Sequence, residues 1–316
     1  MVMEKLSRRD MLKMIGVGAL GATVASQVAF VPRAVRAQGA PATTPIAFFS
    51  FALGAMQLTV IRDAARTQDP NILGRNAPEG GIAQVLQANN FPAPINSTFN
   101  VLVARNGDKT ILFDTGLGAG AGGALLSTLA LLGIERESVT DVVFSHLHPD
   151  HVGGALTDGA LTFSNATYHY PQAEYDFVSN IAADSPLAGA ANTSKAIFEA
   201  AGDKLNVYAA ETEVLPGITP IAAYGHTPGH TAFRLTSDGQ SMVHIVDAAI
   251  NSVVSLARPD WQANFDADGD MAVETRRKLF GEAASSGTRV FGYHFPFPGT
   301  GFVIAEGEGF RFIPAM

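Results

Sequence analysis

Ser145-His146-Leu147-His148-Pro149-Asp150-His151-Val152-Gly153-Gly154 concentrates the chemistry of this chain. Eight histidines occur in all, and three of them fall between positions 146 and 151. The run follows Val142-Val143-Phe144, an apolar stretch that reads as a strand. Residues two apart on extended backbone point the same way, so His146 and His148 converge on one point. Pro149 ends the strand, and the turn after it brings Asp150 and His151 towards a second point. Imidazole and carboxylate donors of this kind suit zinc, manganese, iron or cobalt. The chain has no cysteine, so no thiolate serves as ligand or nucleophile.

Two cations need more donors than one run supplies, and the ends of later strands offer them. Gly225-His226-Thr227-Pro228-Gly229-His230 follows a strand ending at Tyr224. Asp247 closes a strand at 242–246, and His294 closes one at 289–293. Ligands hung where strands leave a sheet rest on a rigid scaffold.

Periodicity and turn chemistry outline the elements that must position these side chains. Apolar runs at 46–53 and 56–61, separated by Gly54, predict a hairpin. Strands at 100–104 and 109–113 join through Asn106-Gly107-Asp108 as a second hairpin. Further strands are predicted at 141–144, 166–170, 218–224, 232–236, 241–246 and 289–293, with a closing hairpin at 304–305 and 310–313. Helices are predicted at 82–87, 123–132, 172–178, 195–201 and 271–284, the last capped by Asp270. Residues 67–96, rich in Asn, Pro and Gly, suggest little beyond their one helix. Strand-rich blocks interleaved with helices point to an α+β sandwich.

His146-x-His148-x-Asp150-His151, then His230, Asp247 and His294 in that order, resembles the metallo-β-lactamase superfamily over essentially all of residues 38–316. Asp114-Thr115-Gly116 after the strand at 110–113 adds to the likeness. The resemblance implies an αββα sandwich with its site along one edge of the paired sheets. It implies one cation held by His146, His148 and His230, a second held by Asp150, His151 and His294, and Asp247 bridging them. Asp114 would support the ligands from outside, and His226 would order the turn before His230. The implied activity is that of a hydrolase with two divalent metal ions, zinc first and Mn, Fe or Co as alternatives. A hydroxide between the metals would cleave small esters, phosphotriesters or lactones, with Asp150 as the catalytic proton shuttle.

Three segments are similar to the exported methyl parathion hydrolase-like group: 144–154, 225–230 and Ala305-Glu306-Gly307-x-Gly309-Phe310-Arg311-Phe312. Many N-acyl-homoserine lactonases, which are cousins, place a tyrosine three residues after the bridging Asp. This chain has Ile250 there, so quorum-quenching lactonase stands as the alternative reading. A non-catalytic exported metal-binding protein is a further alternative, against which the full ligand set argues. Phe177, Phe198, Ile250, Trp261 and Phe295 are the candidates for a substrate pocket. The resemblance also admits a homodimer.

Composition sets the remaining bounds. With 316 residues, 47% hydrophobic and 16% charged, the chain can bury a large core. Residues 1–37 hold Ser7-Arg8-Arg9-Asp10-Met11-Leu12-Lys13, then a Gly/Ala-rich apolar stretch and a small residue at Ala37. This pattern predicts a twin-arginine export signal cleaved before Gln38, a periplasmic location and no stable membrane span afterwards. Residues 38–316 carry 15 Lys+Arg against 27 Asp+Glu, a net of -12, which argues against nucleic acid or anionic lipid and for a small-molecule substrate. Gly118-Ala119-Gly120-Ala121-Gly122-Gly123 fits a dinucleotide fingerprint, but no convincing acidic partner sits at the end of a following strand. Asp266-Ala267-Asp268-Gly269-Asp270 hints at a calcium loop but has Arg277 where glutamate is needed, so it reads as a helix cap. His169 and His244, within apolar strands, read as satisfied structural histidines.

Overall fold

Alternating buried and exposed residues along the strands decide which faces meet, and the layered architecture follows from that pattern. The computed structural model describes residues 45–316 and the backbone of residues 27–30. The export-signal expectation for residues 1–37 otherwise lies outside the described residues.

The first strands are β1 (Gln27–Phe30), β2 (Ala47–Leu53), β3 (Met56–Gln68), β4 (Ile95–Asn106), β5 (Lys109–Phe113) and β6 (Asp141–Val143). A small hairpin, β7 (Leu156–Thr157) and β8 (Ala160–Leu161), precedes β9 (Thr167–Pro171) and β10 (Leu205–Tyr208). Apart from that hairpin they form one eight-stranded sheet in the order β1-β2-β3-β4-β5-β6-β9-β10. The second sheet has six strands in chain order: β11 (Ile218–Ala222), β12 (Thr231–Ser237), β13 (Gln240–Val246), β14 (Arg289–Gly292), β15 (Thr300–Glu306) and β16 (Gly309–Pro314).

The two sheets face each other across a core in which Phe49, Leu58, Leu102 and Phe113 meet Phe233, Leu235, Met242 and Phe291. On the outer face of the first sheet, Leu125, Leu129 and Ile197 of the Leu125–Leu131 and Ala188–Ala201 helices pack on Val103, Val142 and Tyr168. On the outer face of the second, Leu279, Phe280 and Ala283 of the Gly269–Ser286 helix pack on Val243, Ile245 and Val290. This is the expected αββα sandwich. Among the described residues no helix is long and apolar enough to cross a membrane.

Strand direction places the site. β5, β6 and β9 run parallel, as do β13 and β14. Parallel neighbours end on the same edge, so the segments leaving β5, β6, β13 and β14 emerge side by side. Those segments begin at Asp114, Phe144, Asp247 and Tyr293.

Several boundaries differ from expectation. β3 and β4 pair along 57–68 and 95–105, well past the apolar runs, with a bulge between Arg62 and Ala64. Polar residues such as Asp63 and Asn100 are fully buried there, which interrupts the apolar signal. The final helix begins at Gly269 and is capped by Asp268, whose side chain accepts from the Met271 amide, and not by Asp270. Residues 67–96 hold the predicted helix at Gly81–Ala88 and fold over the loop that follows Asp247. Leu73, Ile82, Leu86 and Ile95 cluster there with Ile250, Val254 and Trp261.

Candidate metal centre

Two groups of donor atoms meet at the shared strand edge. His146, His148, His226 and Asp247 form one, and Asp150, His151 and His294 form the other, with the atoms of each group within 4.8 Å of one another. In the first, His148 Nδ1 lies 3.0 Å from His146 Nε2 and 2.9 Å from His226 Nε2. Asp247 Oδ2 lies 3.3 Å from that same His226 nitrogen. In the second, Asp150 Oδ2 lies 3.4 Å from His294 Nε2 and 3.7 Å from His151 Nε2. Asp247 also borders this group, with Oδ1 3.3 Å from His151 Nε2 and Oδ2 3.1 Å from His294 Nε2. One carboxylate therefore lies between both clusters.

Local backbone geometry aims these groups. Val246 adopts a left-handed conformation (φ 47) just after an irregularity in the pairing of β13 with β14. For a β-branched residue this is strained, and it turns the chain so that Asp247 points into the edge. Asp114, at the end of β5, is also left-handed (φ 62).

Outer partners fix the imidazole tautomers. His151 donates from Nδ1 to Asp114 Oδ2, at 2.8 Å. Ser145 Oγ donates to that same Asp114 oxygen and sits 2.9 Å from His146 Nδ1, so it accepts from that ring. His226 donates from Nδ1 to Asp266 Oδ1 (3.2 Å), and His294 donates from Nδ1 to the Thr98 carbonyl (3.2 Å). The Nε2 lone pairs of these four rings consequently point inward, towards one another and towards Asp247. His151 Nε2 and Asp247 Oδ1 are buried and have no hydrogen-bond partner. Inward lone pairs beside a carboxylate repel unless cations or protons lie between them, so the donor set fits two divalent metals.

The titration behaviour reflects the same crowding. Burial, reinforced by neighbouring histidines, holds His146 and His148 well below the usual imidazole range. Burial opposes charge on His151 too, but Asp247, Asp150 and Asp114 outweigh it and raise the ring well above that range. His226 is likewise buried, yet Asp247 and Asp266 raise it to about 9. Asp247 is held well below the carboxylate range, burial notwithstanding, by His294 and His151.

One expected ligand is displaced. His230 donates from Nδ1 to the Ala223 carbonyl (2.8 Å), and its Nε2 accepts from the Asp247 amide (3.1 Å). Both nitrogens are thus engaged with backbone, and burial lowers the ring to about 3. His226 takes the position among the donor atoms that the sequence pattern assigned to His230. Asp114 lies outside both donor groups, and its Oδ2 accepts from His151 Nδ1 and Ser145 Oγ.

The aromatic candidates fare less well. Phe295 is fully buried against Phe312, and Ile250 and Trp261 belong to the cluster under residues 67–96. Phe198 packs against Tyr170 and Tyr175. These four are packing residues. Phe177 is half-buried beside Leu147, the residue between His146 and His148. Phe297, next in the Phe295-Pro296-Phe297-Pro298 run, does line a cavity of about 270 Å³, with Phe91, Val253 and Pro296.

His169 is satisfied by Asp141 and Asn206. His244 is buried with Nε2 unpartnered, contrary to the expectation of a satisfied ring. Beside the glycine loop, the buried carboxylate of Asp63 takes the amides of Leu117 and Leu125. A phosphate would be repelled there. Sequence reasoning missed Asp266, which appeared only within the calcium-loop pattern, and Ser145, whose only signal was its place before His146. It also missed Glu174 and Arg276. Glu174 is fully buried, with its carboxyl pushed up to about 7 by burial against the bonds it accepts. Arg276, also buried, joins Asp266 to the backbone at Ala248, Pro259 and Trp261.

An αββα sandwich with a two-cluster His/Asp edge defines a class of metal-binding fold. A family profile described as "Metallo-beta-lactamase superfamily" matches residues 96–279, more than half of the chain, and the chain belongs to that superfamily. Among solved structures it is similar to AidC, a dizinc quorum-quenching lactonase captured with a product. The two are 27% identical, with a TM-score of 0.81, covering 86% of this chain and 98% of that one. It is also similar to AbOPH, a hydrolase in the β-lactamase superfamily, at 29% identity and a TM-score of 0.77, covering 88% and 99%. Among curated proteins it is 28% identical over 128 residues to an N-acyl homoserine lactonase from Bacillus sp., 40% of this chain. That match spans 44% of the relative's length.

Proposed function

We propose that this protein is a metal-dependent hydrolase with two divalent cations, most simply zinc, and that its substrates are lactones, with N-acyl-homoserine lactones first. The carrying observation is the position of Asp247 between two converging donor clusters. His146, His148 and His226 would hold one cation, Asp150, His151 and His294 the other, with Asp247 shared. Bound there, the pair supplies Lewis acidity towards the carbonyl oxygen and lowers the pKa of water from about 15.7 towards 7. Asp114, Ser145, Asp266 and the Thr98 carbonyl hold the rings in the tautomer that turns Nε2 inward. Asp150, with a side chain 23% exposed, would be the group that passes a proton to a leaving alkoxide. The similarity to AidC and to the Bacillus lactonase supports the choice of lactones.

A second reading, cleavage of aryl esters or phosphotriesters as in the methyl parathion hydrolase-like group, is favoured by Ile250. That side chain is buried beside Trp261 and offers no hydroxyl to a substrate. Twin-arginine export to the periplasm and a homodimeric assembly complete the proposal. The test is a substrate panel on zinc-reconstituted protein. Faster turnover of acyl-homoserine lactones than of aryl esters or phosphotriesters supports the first reading, and the reverse order the second. No hydrolysis of any class by metal-loaded protein overturns both.

A further inference from the structure

Glu174 lies in the first turn of the Gln172–Asn180 helix, yet its carboxylate does not cap that helix. Oε1 accepts from the Leu147 amide at 3.0 Å. Oε2 accepts from Thr227 Oγ1 at 2.9 Å and from the Gly229 amide at 2.7 Å. All three donors belong to ligand-bearing loops: Leu147 separates His146 from His148, and Thr227 follows His226. These loops lie 80 residues apart in the chain (147 to 227) and share no strand pairing at these residues. Gly229 runs so close to the helix that a Cβ there would collide with the backbone of Ala173 and Glu174. Backbone meets backbone at that contact, and the carboxylate fastens it.

We infer that Glu174 is a positioning residue that sets the spacing of His146, His148 and His226, and so the affinity of that cation site alone. The inference rests on the dinuclear reading above. Asp150, His151 and His294 receive no bond from Glu174; His151 and His294 are held by Asp114 and the Thr98 carbonyl. The residues Glu174 does bond, Leu147, Thr227 and Gly229, flank His146, His148 and His226.

Glu174→Gln tests this, because an amide NH2 only donates: whichever way the side chain turns, either the Leu147 amide or the Thr227 and Gly229 donors lose their acceptor. Zinc content of the purified full chain, dialysed against graded chelator, is measured for wild type and variant. Wild type should retain two equivalents over a range where the variant retains one, with the weaker site loosened by roughly 10–100-fold, as for other outer-sphere partners of ligands. Thr227→Val, which removes a single donor, should give a smaller shift at the same site and serves if Glu174→Gln does not fold. Wild type at two equivalents with both variants matching its chelator profile overturns the inference alone. Equal loosening of both sites overturns it too. Wild type that never takes up two equivalents overturns the dinuclear reading itself.

Discussion

His151 Nε2 and Asp247 Oδ1 lie 3.3 Å apart, both buried and neither hydrogen-bonded. A buried polar atom without a partner costs about 1–3 kcal/mol, more when charged, so two facing each other call for something between them. Asp247→Asn keeps the shape but removes the charge shared by both clusters. Its metal affinity should fall by more than the roughly 10–100-fold typical of outer partners, and turnover should fall with it. Metal titration and initial rates check this together. Retention of both metals and most activity would show that Asp247 does not bridge.

His226 and His230 separate ligand from support. His226→Ala should lose one equivalent of metal. His230→Gln should keep two equivalents and show mainly a lower Tm, because His230 binds the Ala223 carbonyl and the Asp247 amide. Metal content of the two variants decides between them, and the opposite pattern would restore the original assignment of His230.

Arg276 is a buried cation paired with Asp266 at 3.2 Å. Removing it takes one partner from Asp266, which His226 still bonds, and leaves the Ala248, Pro259 and Trp261 carbonyls without their donor, at about 1–3 kcal/mol for a buried group left unsatisfied. Arg276→Met should destabilise the fold by that order in urea unfolding, and should weaken metal binding through the loosened Asp266–His226 contact. An unchanged urea midpoint contradicts this.

The pH dependence of the metal-free protein has two limbs. Burial lowers His230 and His244 to about 3, from an ordinary 6.5. As pH falls from 6.5 towards 3 the unfolded chain binds protons that the folded chain excludes, so stability declines across that window. On the other side His226 is raised to about 9, so its contribution is complete below 6.5 and is lost as pH rises through 9. Urea midpoints across pH should form a dome, and His244→Phe should flatten its acid side. A level profile contradicts the assignment.

Much of this was legible in the sequence because it depends on period and spacing. The apolar alternation marked β2, β5, β12 and β13, and His146-x-His148-x-Asp150-His151 announced its own chemistry. The choice between His226 and His230 was not legible: they are four residues apart in one loop, and the Ala223 carbonyl and the Asp247 amide decide it. Glu174, Asp266 and Arg276 were invisible for a related reason. Glu174 and Arg276 are single polar residues in ordinary stretches, Asp266 stood out only within a calcium-loop pattern, and the role of each comes from contacts that form only when distant segments pack, such as Glu174 with Leu147 or Arg276 with Ala248. The aromatic pocket failed because size and neighbourhood do not reveal whether a ring faces a cleft or a core. Phe295 faces the core, while Phe297, two residues on, lines a cavity.

The most direct measurement is the number of divalent ions bound per chain, by elemental analysis of protein stripped and then reconstituted with zinc. Two equivalents for wild type, falling for His226→Ala, is the result this arrangement of Asp247 between paired clusters predicts. A single equivalent in wild type, unaffected by loss of His226, would contradict it.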